Sequence, residues 1–303
     1  MKHATHSTLF VESLIMRSAL SLMVLFLGSA GAVLAESVPP AIFTDPPADR
    51  AHPATMTVLH VPSHGLLING LLYSPAGAGP HPTLVICHGL PGNEKNLDLA
   101  QAVRRAGWNA VTFNYRGSWG SPGSFRFAQN PEDADAVLAY LRDPSNAAKL
   151  GIDPKRIAIA GHSMGGWVVA HTAARDHALS GAILISMADM GLTGGRPRAQ
   201  AVAAMADDME TLADVTAESM VDELAAHAQE FVVAGTAAGL AQIPVLAITA
   251  NDHLASQTDA LVAAIKAKGG TRVTAAHLDT DHSYSDRRIA LESIVITWLS
   301  GLH

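Results

Sequence analysis

Ile157-Ala158-Ile159-Ala160-Gly161-His162-Ser163-Met164-Gly165-Gly166-Trp167-Val168-Val169-Ala170 is the stretch on which the fold turns. A short apolar run meets a glycine–serine–glycine set, and a helix-forming run follows at once. The bare pattern G-x-S-x-G is weak, because glycine and serine are common; the strand before it and the helix after it give it weight. In that setting the chain turns sharply from strand to helix. Crowding then admits only glycine at Gly161 and Gly165, and the serine hydroxyl is lifted out of the end of the sheet. The Met164 backbone N–H, at a helix N-terminus, is aimed at any oxyanion that forms beside Ser163.

Serine is a poor nucleophile near neutral pH and needs a general base from elsewhere in the chain. His282, in Asp281-His282-Ser283, follows a strand pattern over 272–277 and precedes the last helix, at the sheet edge where Ser163 emerges. Asp252 lies just past the strand pattern at 244–249, at the same edge, where it can orient and stabilise an imidazolium. Asp279, Asp281 and Asp189 are rival carboxylates; the first two are so close to His282 in sequence that a loop role suits them better. A second oxyanion donor is expected from His88-Gly89-Leu90-Pro91-Gly92, a glycine-rich turn that can point the Leu90 N–H into the same cleft. His162 and His253 adjoin these residues and are expected to pack or line the cleft.

Outward from this centre, short apolar runs alternate with helical ones, as in strands buried on both faces of a mostly parallel sheet. The spacing predicts an opening antiparallel pair at 57–61 and 66–73 with a turn at 63–65. Further strands are expected at 83–87, 109–115, 156–160 and 181–186, and helices at 93–106, 164–174, 255–268 and 286–299. Asn130-Pro131-Glu132-Asp133 predicts a capped helix start with two acids at the positive end of its dipole. Between 190 and 241 no strand pattern occurs, and the Ala-rich sequence predicts a small helical cap. In it Val202, Met205, Met209 and Leu212 would share one face of a first helix, as core or as a pocket roof, and Ser219 with Asp222 would box the start of a second.

The combination of His88 to Gly92, the Asn114-Tyr115-Arg116-Gly117 turn with Gly120 and Gly123, the elbow at 161–165, Asp252 and His282 resembles the α/β-hydrolase superfamily. It is most similar to the serine aminopeptidase, prolyl-oligopeptidase-like and dienelactone-hydrolase-like branches. The resemblance runs from about residue 57 to 299, and the order serine, aspartate, histidine is the family's own. It implies Ser163 as nucleophile, Asp252 as acid, His282 as base, and the backbone of Leu90 and Met164 as oxyanion hole. The expected activity is hydrolysis of carboxylic esters through an acyl-enzyme. A serine peptidase acting on short peptides, an acyltransferase and a non-catalytic binding protein on the same fold are the alternatives.

The front of the chain is basic at Lys2 and Arg17, apolar from 19 to 27, then small-residue-rich to Ala35. That order predicts a signal peptide over 1–35, possessing an alternative start at Met16, and a periplasmic or secreted chain; an uncleaved anchor is the rival. Residues 36–55 read as an extended lead-in, and 56–303 as the hydrolase domain. Of the 303 residues 49% are apolar, and the formal net charge is −7 with no block of Lys or Arg, which argues against a nucleic-acid partner. The single Cys87 supplies neither an intramolecular disulfide nor a thiolate cluster. Neither a metal site nor a cofactor is expected, and the partner is a small ester or short peptide.

Overall fold

The computed structural model describes residues 38–302; the signal expected over 1–35 lies outside them. Eight strands form one sheet: β1 (Thr55–Ser63), β2 (Leu66–Ser74), β3 (His81–Cys87), β4 (Asn109–Phe113), β5 (Ile152–His162), β6 (Gly181–Ile185), β7 (Val245–Thr249) and β8 (Val273–His277). Their spatial order is β1-β2-β4-β3-β5-β6-β7-β8. β1, β2 and β4 pair antiparallel, and all other pairs are parallel. His64 and Gly65, both at positive φ, make the two-residue turn between β1 and β2.

Eleven helices are described: α1 (Leu97–Arg105), α2 (Gln129–Arg142), α3 (Pro144–Leu150), α4 (Met164–Ala173), α5 (Met190–Gly194), α6 (Arg198–Ala206), α7 (Ala217–Ala226), α8 (Ala228–Phe231), α9 (Ala237–Leu240), α10 (Ala255–Ala267) and α11 (Arg288–Ser300). The central strands β3, β4, β6 and β7 are buried almost throughout, as is β5 from Ile157 onward, because their alternate side chains enter two cores. One core holds Val85, Ile159 and Leu184 against α2, α4 and α10; the other holds Leu84, Ile86 and Ile183 against α1 and α11. Cys87 is buried in the first, and loss of water around it pushes its thiol up to about 12.

Several sequence expectations are corrected. Asn130 does not cap α2: the helix begins at Gln129, and Asn130 is buried in its first turn with its amide donating to Met164 Sδ at 3.4 Å. Glu132 does stand in the first turn of α2, as expected, and both it and Asp133 also answer the full charge of Arg116. Arg116, in the turn after β4, donates to Asp133 Oδ1 and to Glu132 Oε2, each at 2.6 Å. Asp133 also accepts from the Arg116 N–H at 2.9 Å and the Ser63 hydroxyl at 2.5 Å, so one buried carboxylate ties β1 to the turn after β4.

The helix expected from 93 starts only at Leu97, because Asn96 is left-handed. α3 has no counterpart among the sequence expectations; its seven residues are too few to show periodicity, and Asp143 caps it through the N–H groups of Ser145 and Asn146. Thr216, not Ser219, caps α7, and Ser219 is the reciprocal N3 partner. α6 ends at Ala206, so Met209 and Leu212 belong to the following loop, where Leu212 bridges to Ser118. The lead-in is not simply extended: Pro39 and Pro40 start a 3-10 turn, Pro40–Ile42, whose Ala41 and Ile42 carbonyls accept from Arg105.

Replacing Asp133 by Ala leaves the Arg116 guanidinium buried with one partner fewer, so we expect a loss of about 3–5 kcal/mol in urea denaturation. A loss under ~1 kcal/mol would show that the tie is not structural.

Candidate active site

The parallel strands all end at one edge, and their register decides which loops meet there. Cys87 on β3 pairs with Gly161 on β5, and His162 pairs with Ile185 on β6. The loops that leave β3 and β5 therefore start side by side.

Ser163 sits between β5 and α4 at φ 56° and ψ −121°, a strained conformation for a residue with a side chain. Neighbouring bonds hold it there. Its N–H donates to Ile185 O at 2.9 Å, and its carbonyl accepts from Gly166 and Ala188. A Cβ on Gly161 would collide with the Gly165 carbonyl, and one on Gly165 with the carbonyls of Cys87 and His88. Both glycines are thus required by close approach, as the spacing predicted. A Cβ on Gly89 would lie 3.1 Å from the Ser163 Cβ, so the turn after β3 is pressed against the elbow. Neither the Leu90 nor the Met164 N–H has a hydrogen-bond partner among the described residues.

Asp252 and His282 are brought together from the ends of β7 and β8. The His282 Nδ1 is 2.8 Å from Asp252 Oδ2, and the other carboxylate oxygen accepts from Leu254 N–H at 3.0 Å. Burial alone would raise the Asp252 carboxyl, but hydrogen bonds from His282, Ser186 and Leu254 outweigh it and hold it at about 2. A carboxylate cannot donate, so Nδ1 carries the proton and Nε2 is left as the basic nitrogen. Asp252 is 3% exposed in its side chain and His282 39%, so the acid is enclosed and the ring opens to the cleft.

Ser163 and His282 share the walls of a cleft of about 120 Å³ with Gly89 to Glu94, His162 and Ser283. No hydrogen bond joins the Ser163 hydroxyl to the His282 ring in this structure. The rival carboxylates are engaged elsewhere: Asp279 accepts from Asn251, Asp281 from Ser285 N–H, and Asp189 caps α5 and accepts from Val233 N–H. The 190–241 segment supplies no wall of this cleft; it reaches the rim through Thr211, whose hydroxyl donates to the Pro91 carbonyl at 3.3 Å. Trp119 borders the neighbouring depression, whereas Phe125 is buried in the core. Among the described residues no group of three or more His, Cys, Asp or Glu could hold a metal ion.

Three supports were not assigned from the sequence. The His162 Nε2–H donates to the His282 carbonyl at 2.8 Å, and the two rings lie 4.6 Å apart. Burial, with the charge of His282 second, pushes His162 down to about 4, so it stays neutral. Arg288 Nη1 donates to the Ser283 carbonyl while its other nitrogens grip Asp98 and Asn96. The buried Tyr284 hydroxyl meets Ser186 Oγ at 2.9 Å and Ile248 O at 3.2 Å, tying the histidine loop to β6 and β7. Only His162 carried a signal, as the neighbour of Ser163; the others depend on pairings across long sequence distances.

The chain matches the model of the "Alpha/beta hydrolase family" over residues 84–291, more than half its length. It is 30% identical over 121 residues to the uncharacterized protein Rv2307c of Mycobacterium tuberculosis, covering 40% of this chain and 41% of that one. With the quorum-quenching protein AidA of Acinetobacter baumannii it shares 33% identity over 127 residues, 40% of each chain. The chain thus matches about two fifths of the length of these curated relatives. A solved esterase from Pyrobaculum calidifontis superposes with a TM-score of 0.58 at 20% identity, covering 84% of this chain and 88% of that one.

The depressed basicity of His162 has a consequence for stability. Its folded value, about 4, lies below the ordinary 6.5, so its contribution is complete above pH 6.5 and is lost as pH falls toward 4. In His162→Gln the dependence of unfolding free energy on pH across that window should be shallower by about one proton, about 1.4 kcal/mol per pH unit. An unchanged slope in denaturation titrations would contradict the assignment.

Proposed function

Because the chain belongs to the alpha/beta hydrolase family, we propose that it is a serine hydrolase that cleaves carboxylic esters through an acyl-enzyme on Ser163. Ser163 Oγ attacks the ester carbonyl carbon as its proton passes to His282 Nε2, and Asp252 stabilises the imidazolium. The oxyanion is received by the N–H groups of Leu90 and Met164. His282 then returns the proton to the departing alcohol. A water, deprotonated by the same ring, attacks the acyl carbon and frees the carboxylic acid, which restores the Ser163 hydroxyl.

What carries the reading is the Asp252–His282 pair, joined at 2.8 Å, opening onto a cleft that Ser163 also walls, with two unspent N–H donors beside the serine. Serine–histidine hydrogen bonds of this kind commonly tighten only as the substrate binds. Esters are preferred over amides because an alkoxide leaves more readily than an amine and asks less of the pocket.

Ser163→Ala should lower kcat against short-chain esters by at least ~10³-fold with Tm almost unchanged. Asp252→Asn, which favours the wrong tautomer of His282, should cost about 10⁴-fold. Asp279→Asn and Asp281→Asn, whose carboxylates are tied to Asn251 and Ser285, should cost less than ~10-fold. Activity surviving in Ser163→Ala, or a loss in Asp281→Asn equal to that in Asp252→Asn, would overturn the assignment.

A further inference from the structure

A groove leads away from the cleft along the strand-end edge. Asn93 and Glu94, which wall the cleft, also wall a depression of about 460 Å³ together with Lys95, Leu97 and Trp119. Lys95 and Leu97 in turn border a basin of about 250 Å³ above β2, β3 and β4. In that basin Lys95 is the one charged side chain. The other polar walls are Asn69, Thr112, Asn114 and His88, and His88 is held neutral because burial pushes it down to about 4.

The Lys95 ammonium is built in and short of partners. It donates to Asn114 Oδ1 at 3.1 Å and lies 3.9 Å from the centre of the Trp119 ring. Asn114 is fixed in turn by donating to Trp119 O at 3.2 Å, and Trp119 by its indole N–H to Pro91 O at 2.7 Å. An ammonium has three N–H donors, and among the described residues only Asn114 accepts a hydrogen bond from it. Among the described residues no carboxylate lies within ion-pair distance of it. Glu94 and Asp98 share the groove but are occupied: Asp98 holds Arg288 through two bonds, and Glu94 accepts from Asn96 N–H at 2.6 Å. Partial loss of water pushes Lys95 down to about 8, which leaves it charged at neutral pH yet gains from any anion placed beside it.

We propose that Lys95 and the basin behind it form a subsite for a carboxylate carried by the substrate, remote from its scissile bond, so that the preferred esters are monoanions; this rests on the acyl-transfer reading above. An uncharged alkyl chain in the basin would strip more water from the ammonium and return no partner. A cationic group would meet a like charge. One lysine flanked by neutral amides suits a single negative charge, whereas a phosphate dianion calls for arginine forks or several N–H donors.

The test compares kcat/KM for monomethyl adipate and monomethyl suberate with methyl hexanoate and methyl octanoate, which carries the anion on the acyl side. For the alcohol side, 4-acetoxybenzoate is compared with phenyl acetate. In one of these arms the anion should be preferred by at least ~10-fold, the worth of one charge-assisted hydrogen bond. In Lys95→Met that preference should collapse toward one, and Lys95→Arg should keep it. Adipate itself, titrated by calorimetry, should bind the native protein at least ~10-fold more tightly than Lys95→Met. No preference in either arm, or a preference unchanged in Lys95→Met, overturns the subsite. A native protein that hydrolyses none of these esters overturns the acyl-transfer reading instead, and adipate then decides the subsite alone: equal affinity for native protein and Lys95→Met, or no binding to either, defeats it.

Discussion

At Gly165 a hydrogen stands where a methyl group would collide with the Cys87 and His88 carbonyls, and at Gly161 one stands where a methyl would strike Gly165. This mutual approach brings α4 against the ends of β3 and β5 at a distance no other residue allows. Ser163, between them, is then driven to positive φ, at a cost of about 1–3 kcal/mol that the surrounding bonds must offset. The same closeness seats the Met164 N–H at the helix start and Gly89 against the serine. Were α4 to retreat, the serine would relax into an ordinary helix cap and Gly89 would no longer be pressed against it.

The opposite wall of the cleft is held by different means. The loop after β8 has no glycine elbow; it is tied down at four points around His282. Asp252 fixes one ring nitrogen, His162 holds the carbonyl, Arg288 holds the next carbonyl, and Tyr284 plants its hydroxyl between β6 and β7. A neutral His162 stabilises this arrangement as a donor without adding a positive charge beside the His282 ring. The wall carrying Ser163 is set by sterics and the wall carrying His282 by hydrogen bonds, so the two respond differently to substitution and to pH.

Much of this was legible in the sequence because it rests on local rules. The elbow needs glycine at two fixed offsets, the buried parallel strands read as continuous apolar runs, and Asp252 and His282 follow strand patterns whose C-terminal ends must share an edge. Less legible was whatever depends on partners far apart in the chain. Asn130 has the composition of a cap, but the Met164 sulfur and the core claim it; Asp133 has the position of a dipole partner, but Arg116 in the turn after β4 takes it. The run from Val202 to Leu212 has helical spacing, yet the chain leaves the helix after Ala206 to lay Leu212 against Ser118. Tertiary contacts overrode local preference in each case. Lys95 carried no signal, because an ammonium deprived of a carboxylate is recognisable only once its surroundings are known.

If Ser163 is the nucleophile, the carbonyl carbon of a substrate becomes bonded to its Oγ. Mixing the protein with a slowly deacylating ester, quenching in acid and mapping the peptides by mass spectrometry tests it directly. The peptide that contains Ser163 should gain the mass of one acyl group, with fragment ions placing it on that residue, and the gain should vanish in Ser163→Ala. An acyl group found on another side chain, or hydrolysis that proceeds with no acylated peptide at any quench time, would contradict the account.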